Sequence, residues 1–178
     1  PGQPAVVRVT LANTGPTVDH LRVSVERVPA AWITGPTTEV QLIPGGQATV
    51  ALTVNVARSA QNRSGAYPVT IRAQSRDNPG ETGGATAMWT VLPFEMGALT
   101  ISPSRVFART SGHYELSLGN DSNTPASYQL TGGDEEQALR FRFGEPVVSL
   151  EPASVVRISL VVQGSRRLAG SPLTRRFN

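Results

Sequence analysis

LIPGGQATVALTV, residues 42–54, returns as LEPASVVRISLVV at residues 150–162. Each copy runs from a Leu-x-Pro turn into alternating apolar and polar positions. The shift is 108 residues, and at a shift of 107 the stretch VRVTLANTG (residues 7–15) faces YELSLGNDS (residues 114–122). One order of motifs thus occurs twice, at close to the length of a small sandwich domain, about 100 residues. The repeat predicts an all-β chain of two tandem antiparallel β-sandwiches.

Local periodicity agrees. Val7, Val9 and Leu11 alternate with Arg8 and Thr10, and Leu21, Val23 and Val25 alternate with Arg22, Ser24 and Glu26. The same period of two runs through Ala48–Val56, Tyr67–Ala73 and Ala87–Val91, and in the second half through Tyr114–Leu118, Leu139–Phe143 and Val156–Val162. Such runs mark strands with one packed and one wet face. Turn residues separate them. Pro44-Gly45 suits a type II turn, because proline presets φ and glycine accepts a positive φ. Asp77-Asn78-Pro79-Gly80 opens a polar loop expected to reach Gly84. Glu135–Leu139 is long enough for one helical turn at most.

The boundary falls at Pro93, giving domains 1–93 and 94–178. The junction Leu92–Gly97 is short, which predicts a rigid, elongated pair with Phe94 and Met96 packed between the domains. Nothing before Pro1 matches the strand at Leu99–Ser102, and nothing follows to match Ala87–Val91. The first domain is therefore expected to lack its opening strand and the second its closing one. Excision from a longer array is the preferred explanation. Completion of each end by a strand from another molecule is the alternative, since an unpaired sheet edge invites strand addition.

Composition narrows the function classes. All 16 basic residues are arginine, and net charge is only +3. Without lysine, a small cationic surplus lifts the isoelectric point to about 10.2, so that value does not signal nucleic-acid binding. Cysteine is absent, which removes disulfides and thiolate metal sites. No run approaches the ~18 apolar residues of a membrane helix.

Four motifs carry a family resemblance: Asn13-Thr14-Gly15, then Pro29-Ala30-Ala31-Trp32, then Leu42-Ile43-Pro44-Gly45, then Gly65-Ala66-Tyr67. In this order they resemble bacterial immunoglobulin-like modules of the alpha-galactosidase-associated type, found in tandem in bacterial surface and membrane proteins. The resemblance covers most of residues 1–92. The second half follows more loosely, with Asn120-Asp121-Ser122 and Pro152-Ala153 in place of Asn-Thr-Gly and Pro-Gly, and no tryptophan. The resemblance implies two immunoglobulin-like sandwiches acting as spacers, adhesive units or accessory domains, with no catalytic residues to transfer. It also implies a cell-surface or extracellular location.

Candidate site residues are few. Trp32 is either a sugar-stacking platform or a core aromatic; its apolar body and single N–H donor favour the core. Arg166, Arg167, Arg175 and Arg176 form a basic cluster suited to carboxylate or phosphate contact, or to a solvated face or neighbouring domain. Asp19-His20 lacks a spaced nucleophile and reads as a surface pair. Isolated His113 receives the same reading. Asp134-Glu135-Glu136 and Asp77-Asn78-Glu81 offer oxygen ligands but lack calcium-loop spacing and read as solvated turns. Asn62-Arg63-Ser64 fits a glycosylation sequon. No catalytic, cofactor or metal residue is assigned. The expectation is a non-catalytic structural or interaction module of a larger bacterial protein. Its partners would be other protein domains or subunits, with edge-strand pairing as one mode, and neither nucleic acid nor an inserted membrane segment. The alternative is a carbohydrate-binding accessory module of a secreted or surface enzyme, taking a glycan.

Overall fold

A computed structural model describes residues 1–34, 39–165 and 174–178. The chain is all-β, and its strands pair antiparallel throughout the described residues. It divides into two compact units. Unit 1 is Pro1–Arg58 with Asn62–Phe94, and unit 2 is Ser59–Gln61 with Glu95–Asn178.

Unit 1 contains β1 (Ala5–Ala12), β2 (Asp19–Glu26), β3 (Ile33–Thr34), β4 (Val40–Leu42), β5 (Gln47–Val54), β6 (Gly65–Ser75) and β7 (Thr82–Val91). These form one sheet in the order β1-β5-β3 and another in the order β4-β2-β6-β7. The alternation read from the sequence sets which faces pack. Leu11 and Leu52 from the first sheet meet Val23, Leu42, Val69 and Ile71 from the second in one buried cluster. Burying a side chain of this size stabilises by roughly 1.5–3 kcal/mol. A smaller cluster of Trp32, Val54 and Val91 continues the core toward the other end.

Strand β7 begins earlier than the side-chain pattern predicts. Thr82, Gly83 and Gly84 pair with Gln74, Ala73 and Arg72, so the expected loop stops short of them. At a sheet edge, backbone pairing needs no apolar side chain, and alternation is silent about it. Phe94 is buried and lies under the Arg58 guanidinium, 4.7 Å from its ring centroid, whereas Met96 is exposed.

Unit 2 contains β8 (Gly97–Ser102), β9 (Ser111–Asn120), β10 (Ala126–Gln129), β11 (Leu139–Phe143), β12 (Val147–Leu150) and β13 (Ser154–Gly164). One sheet has the order β11-β13-β9-β8 and the other is the pair β10-β12. Leu116, Leu118, Ile158, Leu160 and Val162 of the larger sheet bury against Val148 and Leu150 of the smaller. Phe177 packs edge-on against both Tyr114 and Phe141, and Asn178 exchanges two backbone hydrogen bonds with Gly133. The last residues of the chain thus close onto this unit.

The repeat is clearest where each first core strand ends. Asn13 Nδ2 donates to Thr17 O (2.8 Å) and Leu42 O (2.9 Å), and its Oδ1 accepts from the Gly15 N–H (2.9 Å). Asn120 Nδ2 donates to Thr124 O (3.1 Å) and Leu150 O (2.9 Å), and its Oδ1 accepts from the Ser122 N–H (3.1 Å). Both side chains are buried. Each satisfies buried backbone groups on two segments at once, which orphaned amides and carbonyls require. The adjoining turns also correspond. The Gly46 N–H bonds Ile43 O (2.8 Å), and the Ser154 N–H bonds Glu151 O (3.2 Å). The left-handed position is Gly45 in one (φ 72°) and Ala153 in the other (φ 63°).

Candidate functional site

The polar residues of unit 1 gather at the end where β2 begins and β6 stops. Ser75, although buried, donates its hydroxyl to Asp19 Oδ1 (2.7 Å) and accepts the Asn78 N–H (2.9 Å). The same Asp19 oxygen accepts the His20 N–H (2.7 Å). His20 Nδ1 lies 3.1 Å from Asp77 Oδ2 and 3.3 Å from the Arg76 guanidinium, which itself reaches Glu39 (3.0 Å) and Asp77 (3.3 Å). The hydrogen bond from His20, followed by Arg76, holds the Asp77 carboxyl below its usual range, and Asp77 in turn raises Arg76.

Serine, histidine and aspartate are therefore close together, but in the wrong order for nucleophilic catalysis. A serine nucleophile needs its hydroxyl hydrogen-bonded to the imidazole that takes its proton. Here the hydroxyl is committed to the Asp19 carboxylate, and His20 Nδ1 faces Asp77 and Arg76 rather than the serine. The cluster ties the β2 start to the loop after β6. The sequence reading of Asp19-His20 did not find this network, because its partners lie more than 50 residues away at Ser75, Arg76 and Asp77.

The aromatic candidate lies inside. Trp32 is 4% exposed, its indole N–H donates to Asn62 Oδ1 (3.0 Å), and its ring meets Tyr67 edge-on at 5.0 Å. No ring face is left for a sugar to stack on. Asn62, the sequon asparagine, also donates to Ala57 O (2.8 Å), so its side chain braces the loop that closes over Trp32.

The basic cluster divides. Arg166 and Arg167 lie outside the described residues. Arg176 is exposed. Arg175 turns inward to Glu136 (2.8 Å) and Asp134 (4.0 Å). The nearly buried Asp134 carboxylate also accepts the N–H groups of Ala138 (2.9 Å) and Leu139 (3.1 Å). Its oxygens are thus occupied by a cation and two amides, which ties the C-terminal segment to the 134–139 turn.

A concavity lies at the side of unit 1. A cleft of about 550 Å³ runs between Val9–Ala12 on β1 and Thr82–Ala85 on β7, floored by Ile71 and Ala73. A second, of about 370 Å³, continues the seam between Ala5 and Val7 on one side and Met88–Val91 on the other. Both strands are the outer members of their sheets. Among the described residues, groups of three or more histidines or carboxylates able to hold a metal ion are absent, and no helix is long and apolar enough to cross a membrane.

Residues 1–76 match the family model described as the NPCBM-associated, NEW3 domain of alpha-galactosidase, an accessory rather than a catalytic domain. A search of curated proteins finds no match. Similar solved structures include a protein of unknown function from Porphyromonas gingivalis W83, at 15% identity and TM-score 0.35, covering 92% of this chain and 76% of that one. They also include the YadV chaperone, at 12% identity and TM-score 0.34, covering 87% of this chain and 77% of that one.

Proposed function

We propose that the chain is a non-catalytic structural and interaction module of a larger bacterial protein. It would consist of two tandem immunoglobulin-like sandwiches, residues 1–93 and 94–178, serving as a spacer or assembly unit outside the cell. The match of residues 1–76 to the NEW3 family carries this reading. The chemistry of the polar clusters supports it. The side chains of Asn13, Asp19, Ser75, Asn120 and Asp134 are engaged by backbone amides, carbonyls or neighbouring side chains, and each bond braces a turn or a strand end.

Incubation with galactosides and generic ester, amide and phosphate substrates tests the proposal. The expected result is no turnover; turnover abolished by His20→Ala or Ser75→Ala would overturn it. A carbohydrate-binding role is the second reading, favoured by the alpha-galactosidase in the family's description. Glycan-array binding that survives Trp32→Phe but not Arg176→Ala would move that reading ahead.

A further inference from the structure

We infer that His20 is an acid-operated clasp: on gaining a proton, its imidazole gives up Arg76 as a partner, keeps Asp77 alone, and draws the turn after β6 onto the start of β2.

The clasp rests on one atom with two incompatible neighbours. His20 Nδ1 lies 3.1 Å from Asp77 Oδ2 and 3.3 Å from Arg76 Nη2. A guanidinium only donates hydrogen bonds, and a carboxylate only accepts them. The Arg76 contact therefore requires a lone pair on Nδ1, and the Asp77 contact requires a proton there. A neutral imidazole has one proton for two nitrogens, so the Arg76 contact is available to it. An imidazolium carries a proton on both, and Nδ1 then serves Asp77 alone. Histidine makes this change between about pH 5 and 8, where carboxylates and guanidinium groups ordinarily keep their charge.

The surroundings couple this exchange to a loop. Side chains alternate faces along a strand, so His20 shares its face with Arg22. Across the sheet its neighbours are Gln41 of β4 on one side and, through the Arg76 N–H to His20 O bond (2.8 Å), Arg76 on the other. Glu39, at the entry to β4, holds the Arg76 guanidinium (3.0 Å), and Asp77 Oδ1 holds it as well (3.3 Å). The remaining carboxylate of this corner, Asp19, is engaged by the Ser75 hydroxyl and the His20 amide. The charged groups around the imidazole are thus the cations Arg22 and Arg76 and the anions Glu39 and Asp77.

A charge gained at Nδ1 repels the nearby guanidinium and attracts the nearby carboxylate. Arg76 retains Glu39, while Asp77 follows the imidazolium. Asp77 leads directly into a braced turn, in which the Glu81 N–H donates to Asn78 O (2.9 Å) and Asn78 Nδ2 donates to Glu81 Oε1 (2.9 Å). A pull on Asp77 is therefore passed to the turn as a whole. The hydrogen bond from His20 is also the main cause that holds the Asp77 carboxyl below its usual range, so the anion is in place when the proton arrives. The imidazole is 28% exposed and the Asp77 carboxylate 53%, which leaves both open to protons and to screening by salt.

A series of NMR spectra on the isotopically labelled full chain, taken across the range of about pH 8 to 5 in which histidine titrates, tests the clasp. The His20 ring and the amides of residues 76–81 are expected to shift with a common midpoint, and Nδ1 to pass from unprotonated to protonated. His113, in unit 2, is an internal control whose titration should leave those amides unmoved. His20→Gln keeps a polar side chain without a titrating group and should abolish the loop shifts while the β6 and β7 amides stay native. Asp77→Asn should preserve the ring titration and lose most of the loop response, and high salt should diminish the response of the unaltered chain. Loop amides that stay in place while His20 titrates, or that move equally in His20→Gln, would overturn the clasp. So would an Nδ1 that carries a proton at both ends of the series.

Discussion

Asn13 and Asn120 make the same three hydrogen bonds, yet the turns beside them use different residues. Unit 1 places Gly45 at the left-handed position, where glycine has no steric penalty, and unit 2 places Ala153 there. Glycine visits this region freely, while an L-residue with a Cβ is disfavoured by about 1–2 kcal/mol. The corner survives the exchange because the asparagine, rather than the turn residue, holds it. Unit 2 also adds partners. The Ser122 hydroxyl reaches Asn120 Oδ1, and the Tyr128 hydroxyl donates to the same oxygen (3.2 Å). Burial, reinforced by Asp121 and Glu95, raises the Tyr128 phenol above its usual pKa, so this donor keeps its proton across the neutral range.

The widest test of equivalence is in the cores. Leu52→Ala in unit 1 and Leu160→Ala in unit 2 each empty a buried position and should cost about 2–5 kcal/mol in denaturant unfolding. The positions correspond at the shift of 108, and a neutral result at either would show that the repeat does not extend to packing.

Next come the corners themselves. Asn13→Ala leaves two carbonyls and one amide without their partner, for an expected loss of about 2–3 kcal/mol. Asn120→Ala should lose about 1 kcal/mol more, because the Tyr128 hydroxyl is stranded with it while the Ser122 hydroxyl keeps the Thr124 carbonyl (3.0 Å). Equal losses would mean that the Tyr128 hydroxyl contributes nothing.

The turn exchange is smaller and runs in opposite directions. Gly45→Ala should destabilise unit 1 by about 1 kcal/mol, and Ala153→Gly should stabilise unit 2 by about 0.5–1 kcal/mol. A Cβ on Gly45 would meet no atom within 4 Å, so any cost there is backbone conformation alone. Matching signs in the two units would refute the assignment of left-handed strain to Ala153.

The smallest effect concerns unit 1 only. The folded-state pKa of Asp77 is lowered, so its contribution is full above the ordinary carboxylate range and fades as pH falls through the folded value. Asp77→Asn should therefore flatten the acid limb of unit 1 unfolding below that range and leave unit 2 unchanged.

Strand positions were legible because apolar residues recur every second position, and the Pro44-Gly45 turn because its residue types determine its dihedrals. The repeat also aligned Asn13 with Asn120, but composition does not tell a buried asparagine from one in an exposed turn. Only the carbonyls of Leu42 and Leu150, some 30 residues distant, make that distinction. The His20–Asp77 pair and the Arg175–Asp134 pair were invisible for the same reason, since each joins segments that only the fold brings together. The cleft beside β1 was not legible, because it depends on where β7 lies, including three residues assigned to a loop.

Both tryptophans, Trp32 and Trp89, belong to unit 1, and the aromatic residues of unit 2 are all tyrosine or phenylalanine. Indole emission is therefore an optical label built into one half of the chain. A melting curve followed at red-edge excitation reports unit 1, whereas far-ultraviolet dichroism reports both. Two curves that coincide indicate one cooperative transition, and two that separate give each half its own midpoint without an engineered probe.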